Sequence, residues 1–428
     1  MTCNSTDFFK LFFGELEKRS IPCVILHSYA QFPEKISSDI DYAVPHEYLP
    51  KLRAIQSELA RQNGWALVQT LRHGVFAYYA VLVSLENPAQ FLKLDACSSY
   101  ARARRFLVPE KVLLGSRVPN RGFYTPAPAA EFIYVLAKVF AKDKSPAQYL
   151  PRLRELWSQD PATAQKYFDG LFGNTGKNLE EWFASSAEDW QRLGSLMLAR
   201  NRFGPRLLLR ETGRILQRVS HPTGYSFAVL GSDGSGKTNL LARLRTLLEP
   251  CFRCQKTLHF RPQVFGKRTA ADDPAIANPH GQTPENFALS WLRVTYYFAD
   301  HWAGWFLIVL PGKIRSTLVI FDRCFDDLFV DQKRYRLSGV AALVSVLRRL
   351  LPQPQRIFVL SAPAPVLHQR KPELTVAELE RQQGVLGRLA RSGKRYTLVS
   401  AEQPPDRVAE TVWREVVLSL ALREEKRG

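Results

Sequence analysis

A glycine-rich segment near the middle of the chain carries the residues best suited to chemistry on phosphate. The run from Gly231 to Thr238 reads GSDGSGKT. Its glycines let backbone N–H groups turn toward an anion, and a following helix would point its positive dipole end at the same place. Lys237 can then reach the β- and γ-phosphates of a nucleotide, and the Thr238 hydroxyl can ligate Mg²⁺. The predicted nucleotide-binding residues are Gly231, Ser232, Asp233, Gly234, Ser235, Gly236, Lys237 and Thr238.

The flanks of this loop predict the elements that must position it. The apolar run from Phe227 to Leu230 predicts a buried strand that ends at the first glycine. Leucines then recur at helical spacing from Leu240 to Leu248. Strand, loop and helix together form the context that a phosphate-binding loop requires. The alternative is a glycine-rich turn between a strand and a helix that contains a lysine by chance.

A second candidate group lies at the end of a continuous apolar run, which predicts a central parallel strand from Ser316 to Arg323. An acid at the tip of such a strand can lie beside Mg²⁺, which is the role we expect for Asp322. Arg323 can hold a phosphoryl oxygen with two hydrogen bonds. The alternative for this pair is an ordinary salt bridge at a strand end.

Two further basic sites follow predicted strands. Arg261 ends the strand that begins at Lys256, and we expect its side chain to be exposed. Arg370 opens a basic cluster before a helix that Thr375 and Glu378 can cap. Positive charge at a helix entry suits a mobile lid that closes over ATP, although an ordinary charged helix would show the same pattern.

The C-terminal half, from Ser226 to Leu422, alternates strands and helices, which predicts an α/β domain with a doubly wound parallel sheet. Its segments GSDGSGKT, FRP, VIFDRCFDDLFVD and RKPELTVAELERQ resemble the thymidylate kinase-like family of P-loop nucleotide kinases. The resemblance implies an ATP- and Mg²⁺-dependent kinase that transfers the γ-phosphate to a nucleoside monophosphate or a similar small phosphorylated acceptor.

The same resemblance implies roles for single residues. Lys237 and Thr238 would hold ATP and Mg²⁺, Asp233 would contact the acceptor sugar, and Arg261 would bind the acceptor phosphate. Asp322 and Arg323 would organise the metal ion and the phosphate, with Asp322 as a second Mg²⁺ ligand. Arg370 would belong to the lid, so the implied catalytic residues are Lys237, Asp322, Arg323 and Arg370.

The chain also departs from the family pattern. No glutamate stands between Arg261 and Pro262, where thymidylate kinases carry R-E-P-G. Cys324 follows Asp-Arg, where the family favours Tyr or His, and the long loop from Val264 to Gln282 has no obvious counterpart. A different acceptor is therefore an open alternative.

The N-terminal part carries three acids in predicted strands: Asp39 and Asp41 in a D-x-D pattern, and Asp95 at the end of a later strand. Ile40 and Tyr42 would face inward, which puts Asp39 and Asp41 on one face. Three carboxylates at strand ends are what a two-metal site for nucleotidyl transfer requires. The alternatives are a solvated strand edge and a domain that binds a nucleotide without catalysis.

The segment from Ile21 to Asp95 resembles the nucleotidyltransferase superfamily through LHSYAQFPEKISSDIDYAV and FLKLD. That family carries Gly-Ser after its first strand, where the backbone must approach the phosphates. This chain has His27 and Ser28 there, and a histidine cannot supply the conformational freedom of glycine.

Arginines recur every four residues in the segment between the two halves, at Arg206, Arg210, Arg214 and Arg218. On a helix they would form one stripe, which could contact an anionic membrane surface or nucleic acid. The alternative that we favour is a solvated linker helix.

The domain boundaries follow from these patterns. We predict an α+β nucleotidyltransferase-like domain at 1–125, a helical bundle at 126–200 whose tryptophans are core residues, a basic linker helix at 201–222 and the kinase-like domain at 223–428. The net charge of +19 favours anionic partners. Among the six cysteines, Cys251 and Cys254 form one C-x-x-C pair, but no second pair and no nearby histidine pair accompanies it, so we expect free thiols and no zinc site. The first residues lack a basic signal region, and we expect a cytoplasmic protein. Its oligomeric state is open, and a dimer is one possibility.

Overall fold

The computed structural model describes residues 3–36, 38–144, 146–266 and 283–427. The chain divides into two compact units. The first contains residues 1–220 together with 420–428, and the second contains residues 221–419. Most of the predicted loop from Val264 to Gln282 lies outside the described residues.

The first unit is built on a mixed five-stranded sheet in the order β1-β2-β5-β4-β3. Its strands are β1 (Val24–Ile25), β2 (Ile40–Ala43), β3 (Trp65–Gly74), β4 (Ala77–Ser84) and β5 (Phe91–Cys97). Strand β2 runs parallel to β5, and the other neighbours are antiparallel. Two small hairpins follow, formed by β6 (Tyr100–Arg102) with β7 (Arg105–Val108), and by β8 (Arg117–Asn120) with β9 (Phe123–Pro126).

Helices cover this sheet and continue after it. They are α1 (Ser5–Lys18), α2 (Leu52–Gln62), α3 (Glu110–Leu113), α4 (Pro128–Ala141), α5 (Leu150–Gln159), α6 (Pro161–Phe172), α7 (Leu179–Phe183), α8 (Ala187–Arg200) and α9 (Pro205–Ser220). Helix α1 begins with a capping box between Asn4 and Asp7 and buries four phenylalanines against the sheet.

The helical stretch from α4 to α8 forms one apolar core. Trp182 is 7% exposed and Trp190 is 1% exposed, and their ring centroids lie 5.8 Å apart. Both tryptophans therefore serve packing, as the sequence predicts.

The second unit is a mixed α/β structure around a five-stranded, all-parallel sheet in the order β11-β12-β10-β13-β14. Its strands are β10 (Tyr225–Leu230), β11 (Cys254–His259), β12 (Thr317–Asp322), β13 (Arg356–Ser361) and β14 (Tyr396–Ser400). Every residue of β10 is buried, which explains its continuous apolar sequence.

The helices of this unit are α10 (Lys237–Leu247), α11 (Phe287–Gly304), α12 (Leu310–Ile314), α13 (Asp327–Val330), α14 (Ala341–Leu350), α15 (Ala364–Arg370), α16 (Val376–Arg391) and α17 (Pro405–Glu425). The last residues of α17, from Leu420 on, are grouped with the first unit. The chain leaves β10 toward β11 and β12 on one side and reaches β13 and β14 on the other. The carboxyl end of β10 is therefore the point where the strand order reverses, and ligands of open α/β sheets bind at such points.

Three details differ from the sequence expectation. Strand β3 was not expected, because buried Gln69 and exposed His73 interrupt its apolar pattern. Strand β5 continues to Cys97, so Asp95 lies inside a strand and not at its end. The cysteines among the described residues are free thiols. No helix in the described ranges is long and apolar enough to cross a membrane.

Candidate functional site

The glycine-rich loop leaves the carboxyl end of β10 and enters α10 at Lys237. Gly234 and Gly236 have φ angles of 82° and 84°, a region that L side chains rarely adopt. A Cβ atom on Gly234 would also lie 2.6 Å from the carbonyl oxygen of Leu367. The loop therefore needs glycine for both conformation and space, and it presents the start of α10 at the switch point of the sheet.

Lys237 is buried at the base of the loop. Its Nζ donates to the carbonyl oxygens of Gly231, at 2.7 Å, and Ser232, at 2.9 Å. Burial, and secondly the charge of Arg323, lower the pKa of Lys237 to about 7. Within the described part of the chain, the closest partners of this ammonium group are two backbone carbonyls, and Asp233 lies 3.9 Å away. A phosphate group would offer it a stronger partner.

Two hydroxyls complete the loop. Ser235 Oγ is buried without a hydrogen-bond partner among the described residues. Thr238 is exposed in the first turn of α10, one residue after Lys237. A buried polar oxygen without a partner is costly unless a ligand or water satisfies it, so this loop fits an anionic ligand.

Asp322 lies at the carboxyl end of β12, in register with Val229 of β10 and His259 of β11. Its Oδ2 lies 3.0 Å from His259 Nδ1, whereas its Oδ1 is buried without a partner within the described part of the chain. Burial alone would raise the pKa of Asp322, but His259, and then Lys237, outweigh burial and lower it. The carboxylate is therefore ionised with one open oxygen, which fits a cation.

Within the described ranges, no group of three His, Cys, Asp or Glu side chains is arranged to hold a metal ion by itself. Mg²⁺ needs no such cage, because one or two protein oxygens and the substrate phosphates commonly hold it together with water. Asp322 Oδ1 and the Thr238 hydroxyl are the oxygens that could serve here.

Asp233 of the loop is held by two arginines. Arg323 Nη2 lies 2.7 Å from its Oδ1, and Arg334 Nη2 lies 2.5 Å from its Oδ2. Each arginine has a second acid, Asp327 for Arg323 and Asp331 for Arg334. The side chain of Arg323 is 6% exposed and that of Asp233 is 9% exposed, so this network is shielded from water. It places two guanidinium groups beside the loop, and the geometry of a guanidinium group matches that of phosphate.

Arg261 is not the exposed residue that its sequence position predicts. Its side chain is only 13% exposed, and Nη1 lies 3.4 Å from Asp300 Oδ2 and 3.2 Å from the hydroxyl of Tyr296. The guanidinium also lies 5.1 Å from the centre of the Tyr296 ring. Asp300 is fully buried and accepts from two backbone N–H groups, so it anchors Arg261 in place.

Arg370, the predicted lid residue, has a different environment. It ends α15, and its Nη1 donates to the carbonyl oxygen of Ala401 at 2.8 Å. Ala401 directly follows β14. Half of the capping box predicted for the next helix is present: Thr375 accepts from the N–H of Glu378 at 3.3 Å, whereas the Glu378 carboxylate binds Arg381. Arg370 therefore contacts the loop after β14. That Arg370 belongs to a mobile lid over ATP stays a prediction.

In the first unit, β2 and β5 bring the three predicted acids together, with Asp41 directly opposite Asp95. Ile40 and Tyr42 are buried, as the alternation predicts. Burial, and also the nearby charges of Asp95 and Asp41, raise the pKa of Asp39. Asp95 Oδ1 in turn lies 2.8 Å from Nε2 of His73.

Asp41 is already occupied by groups of the chain itself. Its Oδ1 lies 3.0 Å from Lys138 Nζ, and its Oδ2 lies 3.1 Å from His27 Nε2. Burial would raise the pKa of Asp41, but the bond with His27 and the charge of Lys138 hold it well below its usual range. An ammonium group thus contacts the carboxylate that the sequence assigns to a metal ion.

A cavity of about 450 Å³ opens beside these acids. Its lining includes Asp39 and Asp41 and three lysines, Lys138, Lys142 and Lys144. His27 and Ser28 also line it, and Ser28 adopts a φ of 59°, so the chain reaches a left-handed conformation here without glycine. The lysine ammonium groups suit a ligand that carries phosphate, whereas the carboxylates would need a cation between them and such a ligand.

The predicted arginine stripe of α9 is wrong at one position. Arg214 is 8% exposed, and its guanidinium binds Glu211 and the carbonyl oxygen of Arg72. Arg206 and Arg210 are exposed and Arg218 is partly buried. Contact of α9 with an anionic membrane surface or nucleic acid stays a prediction for the remaining arginines.

Sequence reasoning missed several side chains that contact the predicted sites, among them Arg334, His259 and Lys138. None of these three belongs to a short motif, and each reaches its acid across at least 63 residues of chain. His259 could have been found, because it lies in the predicted strand from Lys256 to Arg261; the observed strand β11 ends at His259, two residues before Arg261. A scan against protein-family models gives no match to this chain, and a search of curated proteins gives none either.

Proposed function

We propose that the protein is an ATP- and Mg²⁺-dependent phosphotransferase, similar to thymidylate kinase-like P-loop kinases, that acts on a nucleoside monophosphate or a similar small phosphorylated acceptor. The observation that supports it most is the pairing of a buried lysine in a glycine loop with a strand-end acid that keeps one open oxygen. Both lie at the switch point of a parallel sheet, where nucleotides bind in open α/β proteins.

In this proposal the glycine loop and the first turn of α10 bind the β- and γ-phosphates through backbone N–H groups. Lys237 leaves the carbonyl oxygens of Gly231 and Ser232 and moves to the phosphates. Thr238 and Asp322 would hold Mg²⁺, which neutralises the charge that develops on the phosphate oxygens. His259 fixes the other oxygen of Asp322. Catalysis then rests on positioning and charge, without a covalent enzyme intermediate.

The acceptor side would use the arginines around Asp233. Arg323 and Arg334 share that acid, so an incoming phosphate group can replace one carboxylate contact without leaving either guanidinium unpaired. Asp233, once released, can accept a hydrogen bond from a hydroxyl of the acceptor. Arg261, which Asp300 and Tyr296 hold in place, would bind the acceptor phosphate.

The test is a screen for ADP formation with nucleoside monophosphates and sugar phosphates in the presence of Mg²⁺ and ATP. We expect at least one acceptor to be phosphorylated by the wild-type protein and not by Lys237→Ala. Lys256→Ala removes an exposed lysine of the same unit and serves as the control. Equal activity of Lys237→Ala and wild type would refute the proposal.

A second candidate, nucleotidyl transfer by the first unit, is favoured by the register of Asp41 with Asp95 beside a lysine-lined cavity. It predicts pyrophosphate release that requires Asp39 and Asp41. Release would be measured with each nucleoside triphosphate in the Lys237→Ala background, which removes hydrolysis at the glycine loop. If Asp39→Asn/Asp41→Asn leaves pyrophosphate release unchanged, this unit does not transfer nucleotides.

A further inference from the structure

A basic cleft lies at the amino end of the parallel sheet in the second unit. Its cavity of about 600 Å³ is lined by five cations, Arg348, Arg349, Arg356, Lys394 and Arg395, and by Tyr396. Arg356 and Tyr396 are the first residues of β13 and β14. The glycine loop leaves the carboxyl end of β10, and all five strands are parallel, so the cleft and the loop lie at opposite ends of the sheet.

Two of the arginines are held in fixed positions. Arg348 Nε lies 2.5 Å from Asp326 Oδ1, and its guanidinium also binds the Tyr396 hydroxyl, which donates to Asp326 Oδ2 at 2.7 Å. Arg356 Nη1 donates to the carbonyl oxygen of Lys394 at 2.6 Å. A guanidinium carries five N–H donors, so these bonds orient both arginines and leave donors for a ligand.

The cleft carries more positive charge than its surroundings balance. Among the described residues, none of Arg349, Arg356, Lys394 and Arg395 forms an ion pair with a carboxylate. Helices α14 and α16 end beside the cleft, and each helix end offers about −0.5 of an elementary charge. The two helix ends and Asp326 together carry a charge of about −2, whereas the five cations carry +5. Compensation of the helix dipoles therefore does not explain why so many cations lie here.

We propose that this cleft is a second anion site, which binds a small ligand with two or more adjacent phosphate groups. Arginine forks match phosphate oxygens with paired hydrogen bonds, and several adjacent phosphates would balance the excess charge. The cavity volume lies in the usual range for small-ligand sites, about 300–1000 Å³. Arg349, Lys394 and Arg395 are exposed, so a ligand in solution can reach them, and the cavity beside them has room for a small molecule. The proposal does not depend on the proposed kinase activity.

The test uses inorganic tripolyphosphate as the probe and calorimetric titration without Mg²⁺. The full-length chain carries Lys237→Ala, which removes binding at the glycine loop. In this background, Lys394→Gln/Arg395→Gln removes two exposed cations of the cleft. Arg245→Gln/Arg253→Gln is the matched control, because it removes the same charge from exposed positions near the other edge of the sheet. Circular dichroism verifies folding, and Arg395→Gln alone replaces the double variant if folding fails.

We expect the dissociation constant for tripolyphosphate to rise at least tenfold in the cleft variant and to stay within twofold in the control. Absence of binding, an unchanged constant in the cleft variant, or equal weakening in both variants would overturn the proposal. A single-stranded oligonucleotide and anionic vesicles are titrated in parallel. If either binds through these residues while tripolyphosphate does not, the cleft is a surface for that polymer or membrane and the small-ligand proposal is wrong.

Discussion

Asp322 in the second unit and Asp41 in the first are equally exposed, at 19% of the side chain, yet their partners differ. Both lie on strands that pair in parallel with a neighbour. Asp322 has one oxygen beside His259 and one without a partner among the described residues. Asp41 has Lys138 on one oxygen and His27 on the other.

The difference shows that an acid on a strand does not by itself make a metal site. A carboxylate can accept a metal ion where the chain leaves one of its oxygens open, as it does at Asp322. Where an ammonium group of the chain already neutralises it, as at Asp41, a metal ion must compete with that group. The exposed fraction of the side chain is the same in the two cases, so the difference lies in the neighbouring basic groups.

The largest expected effect is on phosphoryl transfer. Asp322→Asn should reduce the rate of ADP formation about 10²- to 10³-fold, because it removes charge that stabilises the transition state. Asp41→Asn should change this rate by less than about twofold. Both rates are measured with the acceptor that the screen identifies. Equal loss in both variants would show that the two units do not differ in the way we describe.

The next effect concerns the acceptor. Arg334→Gln should raise the acceptor KM about tenfold, which corresponds to about 1.4 kcal/mol, and change the KM for ATP little. The reason is that Arg334 binds Asp233 and would bind the acceptor phosphate. Lys333→Gln is the control, since its side chain is 61% exposed. If the two variants have the same acceptor KM, Arg334 has no part in acceptor binding.

A smaller effect is expected on the free energy of unfolding, through the contact between Lys138 and Asp41 in the first unit. Lys138→Met leaves Asp41 with His27 as its remaining close basic partner, which should reduce the free energy of unfolding by about 1–3 kcal/mol. Urea denaturation measures it, with the exposed Lys10→Met as control. Adding Asp41→Asn should recover part of the loss. A Lys138→Met protein as stable as wild type would mean that the contact with Asp41 contributes nothing.

The smallest effect is the pH dependence of the contribution that Asp41 makes to the free energy of unfolding. The folded pKa of Asp41 lies below its unfolded value of about 3.9, so the folded state binds fewer protons and the contribution is complete above about pH 4. It is lost as the pH falls through the folded pKa. The difference in unfolding free energy between wild type and Asp41→Asn, about 1 kcal/mol at pH 7, should therefore shrink below pH 4. A difference that is constant from pH 7 to pH 2.5 would contradict this.

The local pattern of apolar and polar residues was sufficient to predict much of the fold. The apolar runs that lead to Gly231 and to Asp322 form the buried strands β10 and β12, as predicted. Strand β3 was not predicted, because the buried residue Gln69 interrupts its apolar pattern. The burial of Gln69 depends on tertiary packing, which the local sequence does not show. The position of Arg214 likewise depends on the carbonyl group of Arg72, which is distant along the chain.

By itself, the sequence determined the glycine loop, the acids Asp39, Asp41, Asp95 and Asp322, and the alternation that makes the second unit α/β. These follow from residue type and short spacing, which set backbone conformation and burial. Only the tertiary structure decided which cations face the acids: Lys138 at Asp41, His259 at Asp322, and Arg334 at Asp233. These contacts join residues from 63 to 101 positions apart, so strand order and packing produce them, and no local pattern encodes them.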